Sequence, residues 1–309
     1  MKSEEKKMSS PDYPQLARMM VEASANAAIS KPPPRLSPGL YLIATPIGHM
    51  GDITLRALMS LAQVDVIACE DTRNSGLLLK AFGIKKPLLS LHDHNEQARS
   101  AEITQRIARG ESVALISDAG MPAIADPGFR LVRDCRAAGL NVSVIPGANA
   151  ALTAIAGSGL PTDQFYFAGF LSAKSAARQK EISAFKQISA TLIFYESPQR
   201  LAASLQDIAD ILGADRPAAV ARELTKFYEE IRSGSLEELA YYYAAHDVKG
   251  EIVILVGNAK EEAGAEYDVD ALLKQRLKKL SVRDAVAEIA DMTGKPKKEI
   301  YARALELTK

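Results

Sequence analysis

The sequence predicts an α/β fold with two α/β domains and a small helical C-terminal extension. Short apolar runs alternate with segments of helical periodicity, an order that builds a mainly parallel sheet with helices on both faces. The chain has 309 residues, which is more than one ordinary hydrophobic core accommodates. After residue 270 the apolar residues recur at helical spacing only, so this last segment predicts helices without strands.

The first domain is predicted to span residues 39–158. Its strands are expected at Leu40–Thr45, Val64–Cys69, Pro87–Leu91, Val113–Ser117 and Val142–Ile145. Its helices are expected at Thr54–Leu61, Ser75–Phe82, Asn95–Arg109 and Pro127–Ala138. Ligands of such sheets bind beyond the carboxyl ends of the strands, so the segments that follow the strands predict the binding edge. Residues 1–38 predict a flexible appendage, because KPPPRLSPG separates them from the first strand.

The second domain is predicted to span residues 159–260. Its strands are expected at Phe165–Phe170, Leu192–Tyr195, Ala218–Glu223, Glu229–Ser233 and Glu251–Val256. Its helices are expected at Ala176–Ile188 and Pro198–Leu212. An acidic linker is expected over 261–270, before the C-terminal extension.

The C-terminal extension, 271–309, is basic in a chain that is neutral overall. It contains ten lysines and arginines against five acidic residues, whereas the whole chain has 38 of each class. Three helices are expected here, with Lys295, Lys297 and Lys298 in the turn before the last one. Such a cluster suits a phosphate backbone, although charge alone fits a solvated helical tail equally well.

Composition favours a soluble cytoplasmic protein. No apolar stretch approaches the roughly 20 residues of a membrane span, and the charged start MKSEEKK does not resemble a signal peptide. Cys69 and Cys135 are far apart and lack CxxC spacing, which is typical of buried thiols in a reducing compartment.

The stretch VALISDAGMPAIADPGF, residues 113–129, is the clearest candidate for a ligand loop. The chain has neither GxxxxGK[ST] nor GxGxxG after its first strand, so a P-loop and a nicotinamide fingerprint are excluded. Asp118 would repel a polyphosphate, but it suits hydroxyls, an amine or a positive charge. S-adenosylmethionine offers all three. The alternative is that Asp118 caps a helix or a turn.

Other polar motifs at the predicted edge leave two interpretations open. His92 and His94 have no third ligand at recognisable spacing, so no metal site is predicted. Glu70–Arg73 fits either an acidic helix N-terminus or a platform for a polar substrate. No GxSxG elbow is present, which excludes a serine hydrolase of that type.

Several long motifs occur in order and resemble the bacterial 16S ribosomal RNA (cytidine-2′-O)-methyltransferase family, within the tetrapyrrole methylase-like class. The resemblance covers residue 39 to the end, and at Met121 the chain departs from the usual threonine. The motifs are LYLIATPIGHMGDITLRAL (40–58), ACEDTRNSGLLL (68–79), LSLHDHNE (89–96), SDAGMPAIADPG (117–128), IPGANAALTA (145–154), TLIFYESPQR (191–200) and ARELTKFYEE (221–230).

The resemblance implies an S-adenosylmethionine cleft between the two α/β domains and a helix-turn-helix C-terminal extension. The implied cofactor contacts are Pro46, Ser117, Asp118, Ala119, Gly120, Met121, Ile124, Asn149, Ala150, Tyr195, Glu196 and Leu224. Candidates for steering the proton of the methylated hydroxyl are Glu70, Asp71 and Glu223. Expected RNA contacts are Arg73, His92, His94, Asn95, Arg200, Arg222, Lys226, Lys295, Lys297 and Lys298. The implied partners are 16S ribosomal RNA in the small ribosomal subunit and a second copy of the chain.

Two other functions fit parts of the sequence. A methyltransferase for a tetrapyrrole-like small molecule would share the cleft but would not need the basic C-terminal helices. A non-catalytic ribosome-associated binding protein would use those helices but would leave the polar motifs at the strand ends unexplained.

Overall fold

A computed structural model describes residues 15, 19, 36–258, 268–278, 280–293 and 295–307. The chain divides after Asn258 into two compact units. Most of the predicted N-terminal appendage lies outside the described residues, as do residues 261–267 of the predicted linker. The linker ends earlier than predicted, because Asp268 caps a helix that begins at Val269.

The first sheet is fully parallel, with the strand order β3-β2-β4-β1-β5. The strands are β1 Gly39–Ile43, β2 Val66–Cys69, β3 Leu88–Ser90, β4 Ser112–Ile116 and β5 Val142–Ile145. Because every pairing is parallel, the carboxyl ends meet at one edge, as predicted. Alternate residues of β1 face opposite sides: Tyr41 and Ile43 lie in one apolar cluster, and Leu40 and Leu42 lie in another.

Helices cover both faces of this sheet, as the sequence predicts. They are α1 Leu55–Gln63, α2 Thr72–Ala81, α3 Glu96–Ala108 and α4 Phe129–Ala137. α2 begins three residues before the predicted start, because the Asp71 carboxylate accepts the Arg73 N–H and caps it. α4 begins later than predicted, after Gly128, whose φ of +133° is not helical.

A fifth helix, α5 Ala150–Ser158, was not predicted. It follows the first sheet in sequence, but Ala151, Ala154 and Ile155 pack with Ile193 and Val253 of the second sheet. α5 therefore lies before the predicted domain boundary near residue 158 in the chain but packs with strands that come after it. The boundary itself stays a prediction.

The second sheet has the order β6-β7-β10-β8-β9 and is mixed. Only β6 and β7 are parallel; the other pairs are antiparallel. The strands are β6 Phe165–Phe170, β7 Thr191–Glu196, β8 Pro217–Arg222, β9 Glu230–Ser235 and β10 Ile252–Val256. Its other helices are α6 Ser175–Ala184, α7 Leu201–Leu212 and α8 Leu236–Ala245, the last of which was not predicted.

The second compact unit contains the three helices that the sequence predicts. They are α9 Val269–Arg276, α10 Val282–Thr293 and α11 Lys297–Leu307. Leu273, Ile289 and Ile300 are buried in a core that the three helices share. Lys297 and Lys298 lie in the first turn of α11, not in the turn before it as predicted, because Pro296 permits the helix to start there. In the described part of the chain, no helix has both the length and the apolar character of a membrane span.

Candidate active site

A cavity of about 420 Å³ opens at the edge where the first-sheet strands end. This volume lies in the range of small-molecule sites, roughly 300–1,000 Å³. Half of the lining comes from first-sheet loops and is called the loop wall: Ile47, Asp118, Ala119, Gly120, Met121, Ile124, Ala125, Asp126, Asn149 and Ala150. The other half comes from the second sheet and is called the strand wall: Phe170, Tyr195, Glu196, Ser197, Pro198, Leu224, Gly250, Glu251, Ile252 and Val253.

Ten of the twelve residues that the resemblance assigns to the cofactor line this cavity. They are Asp118, Ala119, Gly120, Met121, Ile124, Asn149, Ala150, Tyr195, Glu196 and Leu224. The other two, Pro46 and Ser117, are buried beside lining residues in the chain. Their role as cofactor contacts stays a prediction.

The beginning of the loop after β4 is fixed by a bridge to the loop after β1. The Thr45 N–H donates to the Gly120 carbonyl at 2.9 Å, and the Gly120 N–H donates back at 3.1 Å. The Thr45 hydroxyl also donates to the Ser117 carbonyl at 3.1 Å. Gly120 has a φ of +80°, a conformation that glycine adopts without strain. The polar backbone at Ala119 and Gly120 is therefore held in place without bulky side chains.

The end of the same loop is fixed by a buried carboxylate. Glu96 Oε1 accepts the N–H groups of Gly128 at 3.0 Å and Arg130 at 3.2 Å. Between the two anchors, Ala123 and Ala125 have φ values of 66° and 61°. Left-handed conformations at residues other than glycine cost roughly 1–3 kcal/mol each and occur where the surroundings enforce them. The two anchors hold this loop in a strained shape.

Asp118 both lines the cavity and supports its neighbour. One of its oxygens accepts the Asp71 N–H at 3.3 Å, and the other accepts the Asn74 side-chain amide at 2.8 Å. A carboxylate can accept about four hydrogen bonds, so Asp118 can support the neighbouring turn and still contact a ligand. The interpretation as a cap and the interpretation as a cofactor contact are therefore compatible. On the same wall, Asn149 caps α5 by accepting the Leu152 N–H at 3.0 Å.

Carboxyl groups at this edge differ in pKa. Burial, with Glu70 and Asp118 nearby, raises the pKa of Asp126 from 3.8 to about 6. Burial and the charges of Asp118 and Asp93 also raise the pKa of Glu70. In contrast, hydrogen bonds from Arg73 lower the pKa of the partly exposed Asp71 to about 2. Asp126 was not among the predicted site residues, although it lies inside a quoted motif.

None of the three predicted proton acceptors lines the cavity. Asp71 is engaged by Arg73, which makes it a weak base. The pKa of Glu223 is lowered, chiefly because Lys226 donates to it at 2.8 Å. Glu70 is the predicted acceptor whose pKa is raised.

The strand wall is mostly apolar and rests on the second sheet. The Tyr195 ring packs edge-on against Phe167 and Phe170, with centroids 4.9 and 5.5 Å away. The buried Glu196 is already bonded: it accepts the Ser197 N–H at 2.7 Å and pairs with Arg200 at 3.2 Å. Glu196 therefore shapes the turn after β7.

The predicted RNA contacts of the first unit lie off the cavity wall, and many bond within the protein. Asn95 accepts the His92 N–H at 2.9 Å and donates to the Ser90 carbonyl, which closes the turn before α3. Arg200 donates to the Leu171 carbonyl at 2.6 Å. Lys226 bridges two carboxylates, and Arg222 lies 3.4 Å from Glu230. The side chain of Arg73 is 87% exposed, and His94 is exposed too.

Sequence reasoning missed about half of the lining, chiefly on the strand wall. The missed residues are Ile47, Ala125, Asp126, Phe170, Ser197, Pro198, Gly250, Glu251, Ile252 and Val253. The start of β10 lies at the cavity because β10 runs antiparallel to β7. No sequence pattern gives that direction.

Two family models match this chain. Residues 39–240 match the family described as Tetrapyrrole (Corrin/Porphyrin) Methylases, and residues 262–308 match the RsmI C-terminal HTH domain. The Ribosomal RNA small subunit methyltransferase I of Mesorhizobium japonicum is 49% identical over 273 residues, covering 88% of this chain and 93% of the relative. Its namesake from Vibrio cholerae is 45% identical over 281 residues, with coverage of 90% and 98%.

Among solved structures, a uroporphyrin-III-C-methyltransferase from Thermus thermophilus matches with a TM-score of 0.52 at 22% identity. The match covers 71% of this chain and 93% of that chain, and it shows a common fold. Together the matches confirm the predicted resemblance, the α/β fold class and the assignment as a methyltransferase. The chain belongs to the ribosomal RNA small subunit methyltransferase I family.

Proposed function

We propose that this protein transfers a methyl group from S-adenosylmethionine to the ribose 2′-oxygen of a cytidine in 16S ribosomal RNA, near the decoding centre. The reaction class follows from the family, whose members are methyltransferases of small-subunit ribosomal RNA. The cytidine, the 2′-oxygen and the decoding centre rest on the motif resemblance. The observation that carries the proposal is the cavity at the strand-end edge, lined by ten of the predicted cofactor residues.

The cavity suits the cofactor chemically. Asp118 offers a carboxylate to an α-amine or to ribose hydroxyls, and Ala119 and Gly120 offer backbone without bulk. The strand wall offers aromatic and aliphatic surface to an adenine ring. The bound cofactor would supply a methyl group already activated by a positively charged sulfur.

The protein's main contribution would be to position the 2′-hydroxyl. Near-attack alignment of two reactants is worth about 7–11 kcal/mol, whereas a positioned base contributes about 10²–10⁴-fold in rate. Of the three predicted acceptors, Glu70 alone has a raised pKa, but it does not line the cavity.

Exposed cations are the best candidates for RNA contacts. Arg73 and Lys295 are exposed, whereas Asn95 and Arg200 already hold loops of the protein together. The hairpin loop between β8 and β9 adds two aromatic rings, since Phe227 is 92% exposed and Tyr228 is 67% exposed. Unstacked bases commonly stack on such rings.

We also propose a homodimer in the cytoplasm. The resemblance supports the dimer, and the two cysteines without CxxC spacing support the reducing compartment. A light-scattering mass of the purified protein tests the dimer.

The decisive experiment is methyl transfer from tritiated S-adenosylmethionine to small ribosomal subunits, to bare 16S RNA and, in parallel, to tetrapyrrole substrates. Label should enter a single cytidine and make the adjoining phosphodiester bond resistant to alkali, because a methylated 2′-oxygen cannot attack the phosphate. Label on a base, or transfer only to a tetrapyrrole, would refute the proposal.

A further inference from the structure

Asp126 differs from the other three carboxyl groups on the cavity wall in its bonding partners. Asp118 holds the Asn74 amide, Glu196 pairs with Arg200, and Glu251 pairs with Lys226 at 3.1 Å. Across residues 36–258, the structure gives Asp126 no basic partner. It is a half-buried acid that faces the cavity without a neutralising cation.

The groups that face Asp126 come from three elements. Glu70 follows β2, Asp118 follows β4, and Tyr195 lies near the end of β7. Burial is the largest cause that raises the pKa of Asp126 to about 6; the two carboxyls add to the rise, and a hydrogen bond with Ser117 opposes it. The group is therefore ionised at pH 7.5, yet it is a stronger base than an ordinary aspartate. General bases are most effective when their pKa lies near the working pH.

The backbone just before Asp126 adopts conformations that lower the stability of the fold. The preceding residue, Ala125, is in a left-handed conformation, as is Ala123. The Glu96 carboxylate then fixes the loop two residues later, at Gly128. Strained backbone and a half-buried charge without a neutralising cation both oppose folding, and they persist in proteins where function requires them.

Resting on the proposed function, we propose that Asp126 is the general base that takes the proton from the ribose 2′-hydroxyl. As the hydroxyl oxygen forms its bond to the methyl carbon, the O–H bond breaks and the proton moves to a carboxylate oxygen of Asp126. The bond between that carbon and sulfur breaks, and its electron pair stays on sulfur, which becomes a neutral thioether. Asp126 then releases the proton to solvent. No further reactant is needed.

The test is Asp126→Asn, which keeps the shape of the side chain and removes the base. Single-turnover methylation of the small subunit should fall by about 10²–10⁴-fold, while calorimetric affinity for S-adenosylmethionine changes by less than about threefold, under 0.7 kcal/mol. The wild-type rate should decline below about pH 6, following the pKa of Asp126. Asp126→Glu should retain part of the rate and this acidic limb. The matched control is Asp134→Asn, a partly exposed position on α4 that pairs with Arg133, which should change neither quantity.

A second measurement needs neither cofactor nor RNA. The folded-state pKa of Asp126 is raised, so its contribution to stability is full below about 3.8 and is lost as the pH rises through about 6. Asp126→Asn should therefore gain melting temperature relative to wild type between pH 4 and pH 7.5. The same measurement on Asp134→Asn is the control.

Failure of the base role and failure of the proposed function give different results. An Asp126→Asn enzyme within tenfold of the wild-type rate overturns the base role. So does a loss of cofactor affinity that accounts for the loss of rate, or a stability difference that does not vary with pH. A wild-type enzyme that methylates no ribose 2′-oxygen overturns the proposed function, and the base role with it.

Discussion

The loop wall and the strand wall enclose one cavity but are built from different backbone. On the loop wall, Gly120 and Ala125 have left-handed φ values and lie outside any sheet. On the strand wall, Tyr195 and Val253 are paired partners in the ladder of β7 and β10. We therefore expect the loop residues to contribute chiefly to ligand binding, because the strand residues also belong to the core of the second sheet. Substitutions on the loop wall should therefore lower affinity for the ligand more than stability, and substitutions on the strand wall should lower stability more than affinity.

The largest effect is expected for Gly120→Val. A β-branched residue at a φ of +80° is strained, and its Cβ would lie 3.3 Å from Ile47 Cγ2. The loop after β4 should move, and calorimetry should find no binding of S-adenosylmethionine. Gly139→Val is the matched control, because Gly139 has a φ of +68° and open space around it. It should lose similar stability but bind normally. Equal affinity in the two variants would mean that the loop shape does not determine binding.

Asp118→Ala should have the next largest effect. Leaving a cofactor donor unpaired weakens binding by about 1–3 kcal/mol. Loss of the acceptor for the Asp71 N–H and the Asn74 amide should also lower the melting temperature slightly. Calorimetry measures the loss of affinity for S-adenosylmethionine, with Asp134→Ala as the control variant. Unchanged affinity would place the cofactor away from the loop wall.

The sequence predicts the loop wall well because its information is local. A strand followed by SDAG predicts a carboxylate and a glycine at the carboxyl end, and parallel strands bring such ends to one edge. Asp126 was missed because its significance depends on Glu70 and Asp118, which converge only in the fold. The strand wall was largely missed because the pairing direction of β10 has no sequence signature.

The two missed helices have separate physical explanations. α5 reads AALTAIAGS and is apolar or small nearly all round, so it has no amphipathic period to detect. α8 did have a signal: Ser235 and Glu238 form a capping box, the S-x-x-E pattern of a helix start.

Val253→Ala should show the converse behaviour on the strand wall. Val253 is 4% exposed and packs with Ile193, Ala219 and α5. Removing two buried methyl groups should lower the free energy of unfolding by about 1–3 kcal/mol. Affinity for S-adenosylmethionine should fall less than about threefold, since the remaining wall still excludes water. Urea unfolding and calorimetry measure both, and an affinity loss larger than the stability loss would contradict the contrast between the walls.

The smallest effect is expected away from both walls, at Lys295, Lys297 and Lys298. All three are exposed, at the start of α11 and in the turn before it. Lysines that contact phosphates contribute affinity with little sequence information, and they do so by releasing counterions. Each contact adds roughly 0.7–0.9 to the slope of log affinity against log salt. Replacing all three with alanine should therefore lower that slope by roughly 2–3 at most, and affinity for small subunits should fall most at low salt.

The control removes the same charge elsewhere. Lys174, Lys180 and Lys186 are three exposed lysines on and around α6, so their triple alanine variant has the same net charge. If general attraction to RNA were the cause, both variants would lose affinity equally. If the start of α11 contacts the phosphate backbone, only the first variant should have a shallower slope. Both should bind S-adenosylmethionine as the wild type does, because neither alters the loop wall or the strand wall. Equal slopes in the two variants would remove α11 from the RNA-binding surface and leave that role to residues of the first unit such as Arg73.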